Sequence, residues 1–190
     1  WTNGGNLGTG RYNILGGAGT QTAGLAFGGG NPNATNITEE YNGSSWTAGG
    51  AMAAPRSNFS GFGLQTAALA AGGAVSSPPF SGSATSEEYN GSSWTSGGTM
   101  NSGRIQLSGA GTQTAGLVFG GDPDVTSTEQ YNGTSWTTSS NMNTGRKTLA
   151  GAGTQTAGLA FGGESSGAAS SNATEEFDGG GPATFTVGTD

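Results

Sequence analysis

Bulky apolar residues return along this chain in a fixed frame, separated by long polar stretches. Trp1, Trp46, Trp94 and Trp136 stand six residues ahead of Leu7, Met52, Met100 and Met142, and ten ahead of Arg11, Arg56, Arg104 and Arg146. The tryptophans are 45, 48 and 42 residues apart. A second block keeps step with them: GAGTQTAGLAFGG at 17–29 and 151–163, GFGLQTAALAAGG at 61–73 and GAGTQTAGLVFGG at 109–121. A third closes each unit: EEYNGSSWT from Glu39 and Glu87, EQYNGTSWT from Glu129, and a degenerate EEFDGG from Glu175. A repeat of this length marks a solenoid, an array or a propeller.

Each unit reads as four short strands. The first follows the arginine, and a Gln-Thr-Ala turn (21–23, 65–67, 113–115, 155–157) leads into the second, GLAFGG or its variant. After a loop of variable length, a third strand ends at Glu-Glu-Tyr or its equivalent. Asn-Gly (42–43, 90–91, 132–133) then predicts a tight hairpin into a fourth strand that carries the tryptophan. Four strands per unit with a phased aromatic describe a propeller blade.

Arginine, a Gly-rich strand, Gly-Gly, then Tyr five residues before Trp, then Met: this series resembles the kelch repeat over nearly the whole chain. The resemblance implies an all-β, four-bladed β-propeller of four-stranded antiparallel blades. The near-identical, Asn/Ser/Thr-rich units also resemble repeats of structural proteins of tailed phages.

Residues 1–178 are expected to form one propeller, with blades at about 11–49, 56–97, 104–139 and 146–178 plus 1–5. Trp1 carries the fourth-strand signature with no strands before it, whereas the last unit has three strands and lacks its tryptophan. Closure by the N-terminal strand against 173–178 would remove two open sheet edges. Residues 179–190 break the frame and read as a tail or an extra strand. Gly and Ala at 16–19, 61–63, 109–111 and 151–153 suit inner strands in close approach. The first unit has one extra residue between its arginine and its Gln-Thr turn, which a bulge near 15–17 would absorb.

Composition narrows the classes. Only 31% of residues are hydrophobic and 40 of 190 are glycine, values common in disordered chains. The phased Trp, Tyr and Met argue for a packed fold instead. Net charge is −7, and four of five basic residues are the phased arginines, so no basic patch awaits nucleic acid. Apolar runs are too short for a transmembrane helix. With no signal peptide and no initiating Met, the chain is expected to be processed or part of something larger. The absence of cysteine rules out disulfides and fits an extracellular or virion-surface location.

The candidate chemistry resolves into scaffold roles. GGAGTQTAG resembles a phosphate loop but is followed by strand pattern where a nucleotide site needs a helix. One arginine per repeat is expected to pair with Glu39 or Glu40, Glu87 or Glu88, Glu129, and Glu175 or Glu176 where blades meet. Paired glutamates could suggest glycoside hydrolysis, but neighbours on a strand face opposite ways and four equivalent pairs give no unique acid. Histidine is absent, removing the commonest general base and metal ligand. Copper oxidases built on kelch-type propellers need His and Cys ligands, and this chain has neither. Asp122 and Asp124 in GGDPDVTST read as a polar turn rather than a Ca²⁺ site. No metal or cofactor is expected. Glycosylation sequons begin at Asn33, Asn36, Asn42, Asn58, Asn90, Asn132 and Asn172.

Recognition is expected where the repeats diverge, at 30–38, 74–86, 122–128 and 164–174. The candidate ligand-binding residues there are Asn31, Asn33, Pro78, Pro79, Phe80, Asp122, Asp124 and Ser165. Pro78-Pro79-Phe80 stands out as a rigid, aromatic anchor. Arg11, Arg56, Arg104, Arg146 and the four tryptophans are assigned to structure. The expected function is that of a non-enzymatic structural or adhesive module in an extracellular or virion assembly, with protein or glycan partners and a homo-oligomer among the expected forms. The rival expectation is a soluble, lectin-like carbohydrate-binding propeller.

Overall fold

A computed structural model describes residues 1–13, 16–30, 33–75, 81–123, 125–165 and 170–180. Within them the protein is all-β, with fifteen strands and no helix. The first unit contributes β1 (Gly16–Thr20), β2 (Ala23–Phe27), β3 (Thr38–Tyr41) and β4 (Trp46–Ala48). The second contributes β5 (Ser60–Leu64), β6 (Ala67–Ala71), β7 (Ser86–Tyr89) and β8 (Trp94–Ser96). The third contributes β9 (Ser108–Thr112), β10 (Ala115–Phe119), β11 (Thr128–Tyr131) and β12 (Trp136–Ser139). The fourth has β13 (Ala150–Gly153), β14 (Gly158–Phe161) and β15 (Thr174–Phe177).

Every unit is an antiparallel meander, and its register follows from its turns. Gln21 and Thr22 form the two-residue connection between β1 and β2, pairing Thr20 with Ala23. Between β3 and β4, Asn42 Oδ1 accepts from the amides of Ser44 (3.0 Å) and Ser45 (2.9 Å), while Gly43 takes φ +94°. This is the turn chemistry of asparagine followed by glycine. The same contacts recur at Asn90 and Asn132.

The cores lie between successive units, so no unit buries its apolar face alone. Leu25 and Phe27 of the first unit pack with Met52, Phe59, Tyr89 and Trp94 at the second. Leu69 and Ala71 of the second pack with Met100, Leu107, Tyr131 and Trp136. The third joint is thinner: Leu117, Phe119, Leu149 and Ala160, with Met142 and Phe177 only partly buried. The inner strands β1, β5, β9 and β13 stand side by side in that order. At Gly61 a Cβ would meet Gly16 Cα at 2.5 Å and the Phe27 ring at 2.6 Å, so the approach of β1 to β5 requires glycine there.

The closed four-bladed propeller expected from the repeats does not form. β1 and β5 join through a parallel Gly16–Gly61 pair, fusing two units into one open eight-stranded sheet, β4-β3-β2-β1-β5-β6-β7-β8. The third unit is a four-stranded sheet and the fourth a three-stranded one; neither closes on the first. Residues 1–5 form no strand against β15, and Trp1 is fully exposed. The reason is local. Gly8 N donates to Glu39 Oε2 at 2.6 Å, anchoring this segment to the first unit. There Gly4 faces the Tyr41 hydroxyl as Gly49 faces that of Tyr89. The N-terminal residues thus hold the fourth-strand place of a preceding unit rather than of the last one. The bulge expected near 15–17 falls partly on residues 14–15, outside the described residues, as does most of the 179–190 tail.

Candidate functional site

The two ends of the meanders carry different information. At one end lie the Gln-Thr turns, identical in all four units, and the Asn-Gly turns of the first three. The opposite end carries the loops that vary in length and composition. Tyr12 bridges Gly30, Ser57 bridges Ala74, Ile105 bridges Asp122 and Lys147 bridges Glu164. The residue after each arginine is therefore tied to the start of its own unit's variable loop. Strand polarity alone dictates this, since the β2–β3 loop and the connection into β1 both emerge where β1 begins.

The arginines hold these loops at the neck. Arg56 Nη1 donates to the carbonyls of Gly72 (2.8 Å) and Thr85 (3.1 Å), on either side of the loop, while Nη2 reaches Glu87 Oε1 at 2.7 Å. Arg104 repeats this with Gly120, Ser127 and Glu129, and Arg146 with Gly162, Ala173 and Glu175. Arg11 does so with Gly28, Ile37 and Glu39. All four guanidinium side chains are at most 2% exposed, and their ion pairs span 2.7–2.9 Å. Each pair lies inside one unit, where it fastens that unit's third strand (β3, β7, β11 or β15) to the loop neck, and not between units as the sequence suggested. Burial draws the Arg11 and Arg104 pKa values below the usual arginine range, against the opposing pull of Glu39 and Glu129.

The second glutamate of each pair serves the joint between units. The Tyr89 hydroxyl donates to Glu40 and the Tyr131 hydroxyl to Glu88. Burial first, and the carboxylate second, push both phenols up to about 12. The rings of Trp46, Trp94 and Trp136 each pack on the tyrosine of their own unit at 4.7–5.0 Å. Trp94 Nε1 donates to the Thr38 hydroxyl and Trp136 Nε1 to that of Ser86. In these units the paired carboxylates are thus committed to structure. Among the described residues no three His, Cys, Asp or Glu come together as metal ligands.

Of the sequence-predicted ligand residues, Asn31, Pro78, Pro79, Phe80 and Asp124 lie outside the described residues. Asn33 is exposed and Ser165 half-buried on the loops of the first and fourth units. Asp122 is engaged by Lys147 Nζ at 2.9 Å, which ties the third loop to the fourth unit.

Sequence reasoning missed a row of strained residues at this same end. Asn13, Asn58, Gln106 and Thr148 stand two places after each arginine, all with φ between +51° and +58°. Non-glycine residues held in this region mark a place where the surroundings impose the backbone, often for function. They follow one another around the end: Gln106 N donates to Asn58 O (2.7 Å) and Thr148 N to Gln106 O (3.0 Å). With Ser60 and Ser108 they line a cavity of about 450 Å³, a size typical of small-ligand sites. Its polar lining is all amide and hydroxyl, with no charged side chain. The signal in the sequence was faint: this position reads Asn, Asn, Gln and Thr along the four units, beside a preceding position that reads Tyr, Ser, Ile and Lys. Compared with known proteins, the chain matches no family model and no curated sequence.

Proposed function

We propose that this chain is a non-enzymatic recognition module, a structural or adhesive part of a larger extracellular or virion assembly. It binds its partner through the end that carries the variable loops and the amide-lined cup. The observation that supports this reading is the distribution of identity. Gln-Thr turns, Gly-Gly pairs and buried arginines are kept in every unit, while the loops of one end differ in each and the strained residues beside them read Asn, Asn, Gln and Thr. A fold under structural constraint alone would not place its variation, its strain and a concavity together. The kelch-like frame and phage-like composition agree with such an assembly role.

A second reading, a lectin-like domain, is favoured by one feature. The cup offers neutral hydrogen-bonding groups, and neutral hydroxyl-rich ligands are recognised by such groups. Asn58→Gly and Gln106→Gly test both readings. Glycine accepts the φ of +54° and +58° at these positions, so stability should hold while the side-chain contacts disappear. A glycan array should show binding by the parent chain that both variants lose. Undiminished glycan binding by both would remove the cup from the mechanism. A blank array for the parent chain would eliminate the lectin reading and leave a protein partner.

A further inference from the structure

The first two internal joints repeat one chemistry, of which the third keeps only Gln155 Nε2 donating to Gly116 O and Tyr131 O, and the two outer faces of the molecule carry its unmatched halves. At the first joint Gln65 Nε2 donates to Gly24 O (3.0 Å) and Tyr41 O (2.8 Å), the Tyr89 hydroxyl to Glu40, and Trp94 Nε1 to Thr38. At the second, Gln113 meets Ala68 O and Tyr89 O, Tyr131 meets Glu88, and Trp136 meets Ser86. The first unit's outer face presents Gln21, Tyr41 and Trp46, whose side-chain donors have no hydrogen-bond acceptor among the described residues. The fourth unit's outer face presents the counterparts: Glu176 and Thr174, both exposed, and Phe161, 39% exposed.

A second mismatch has the same shape. Between the third and fourth units lies a slot of about 60 Å³, lined by Phe119, Thr128, Ser140, Met142 and Phe177 among others. At the earlier joints the matching places hold tryptophan: Trp94 against Phe27 and Thr38, Trp136 against Ser86 and Gly98 O. Meanwhile Trp1, in the fourth-strand frame of a preceding unit, is fully exposed.

We infer that the chain associates head to tail with a second copy of itself, whose Trp1 fills this slot. One rigid placement satisfies every mismatch together. Stacking the second copy's first unit on the fourth unit by the internal rule sets Gln21 on Gly158 O and Phe177 O. The same step sets Tyr41 on Glu176, Trp46 on Thr174 and Phe161, and residues 1–5 along β15. The contact is heterologous, with different patches on the two partners. It uses the outer unit faces and leaves the cup free.

Sedimentation velocity over a dilution series tests this, with Tyr41→Phe, Glu176→Gln and Trp1→Ala as variants. The parent chain should pass from monomer to larger species as concentration rises. Each variant should weaken association roughly tenfold or more, the value of a lost charge-assisted hydrogen bond or a lost aromatic anchor. Tyr41→Phe and Glu176→Gln remove groups without hydrogen-bond partners among the described residues, so melting at low concentration should not move. A parent chain that stays monomeric throughout overturns the proposal. So does association that all three variants leave unchanged, since another surface would then be responsible.

Discussion

Arg104 shows how one residue holds a loop neck. Its guanidinium reaches two carbonyls and Glu129, with 2% of each side chain exposed. Its Nε, like that of the other three arginines, has no acceptor. Such a group adds little net stability compared with an apolar filling, yet removing one partner strands the rest. Arg104→Met should therefore cost about 3–5 kcal/mol by chemical denaturation, because the Glu129 charge and the Gly120 carbonyl are left buried without the guanidinium. Adding Glu129→Leu should recover much of that loss, since the stranded charge goes with it. A single variant within about 1 kcal/mol of the parent would show that the neck is held by something else. The aromatic joints obey the same residue-scale logic. Where Tyr89 and Tyr131 donate to Glu40 and Glu88, the fourth unit has Phe177 and the third has Gln130 in place of the acceptor. Donor and charged acceptor are absent together.

At the scale of elements, the neck explains why loop length is free. The loop between Gly72 and Thr85 is longer than that between Gly120 and Ser127, yet both are closed by the same arginine geometry. Replacing residues 74–84 with the five residues 122–126 should shift stability by no more than about 1–2 kcal/mol, because loop-closure entropy changes slowly with length. Thermal melting decides it; a graft that fails to fold would mean the loop interior, not its neck, specifies the unit. Strands and turns were legible in the sequence because their signals are local: Asn-Gly for the hairpins, Gln-Thr before the inner return, a phased tryptophan on the last strand. The row of left-handed residues was not, because Gln106 and Thr148 have no intrinsic preference for that backbone; the packing around Arg104 and Arg146 imposes it. Closure was misread for a related reason. A fourth-strand signature at Trp1 says which strand it is but not which unit it packs on, and Gly8 bound to Glu39 sets it on the first, in the place of a preceding unit's last strand.

For the whole molecule, an open row of near-identical units predicts uneven stability. Units that bury nothing alone are stabilised by their neighbours, so end units with one neighbour open first. The burial gradient gives the direction. In β6 four of five residues are buried and in β7 three of four, whereas β13 and β15 bury none. The third joint also lacks the tryptophan that caps the first two, leaving Met142 half-exposed where Met52 and Met100 are 2% and 3% exposed. Native-state hydrogen exchange at low protein concentration should therefore find the amides of β14 and β15 exchanging faster than those of β6 and β7, by roughly one to two orders of magnitude. Protection should fall again toward β4 at the other end. Uniform protection from β2 to β15 would contradict this, because it would mean the ends are held as firmly as the middle and the row behaves as one cooperative body. The gradient also bears on assembly. An end that opens readily exposes the Phe119–Phe177 slot, and whatever occupies that slot should raise protection in β14 and β15 before it changes anything in β6.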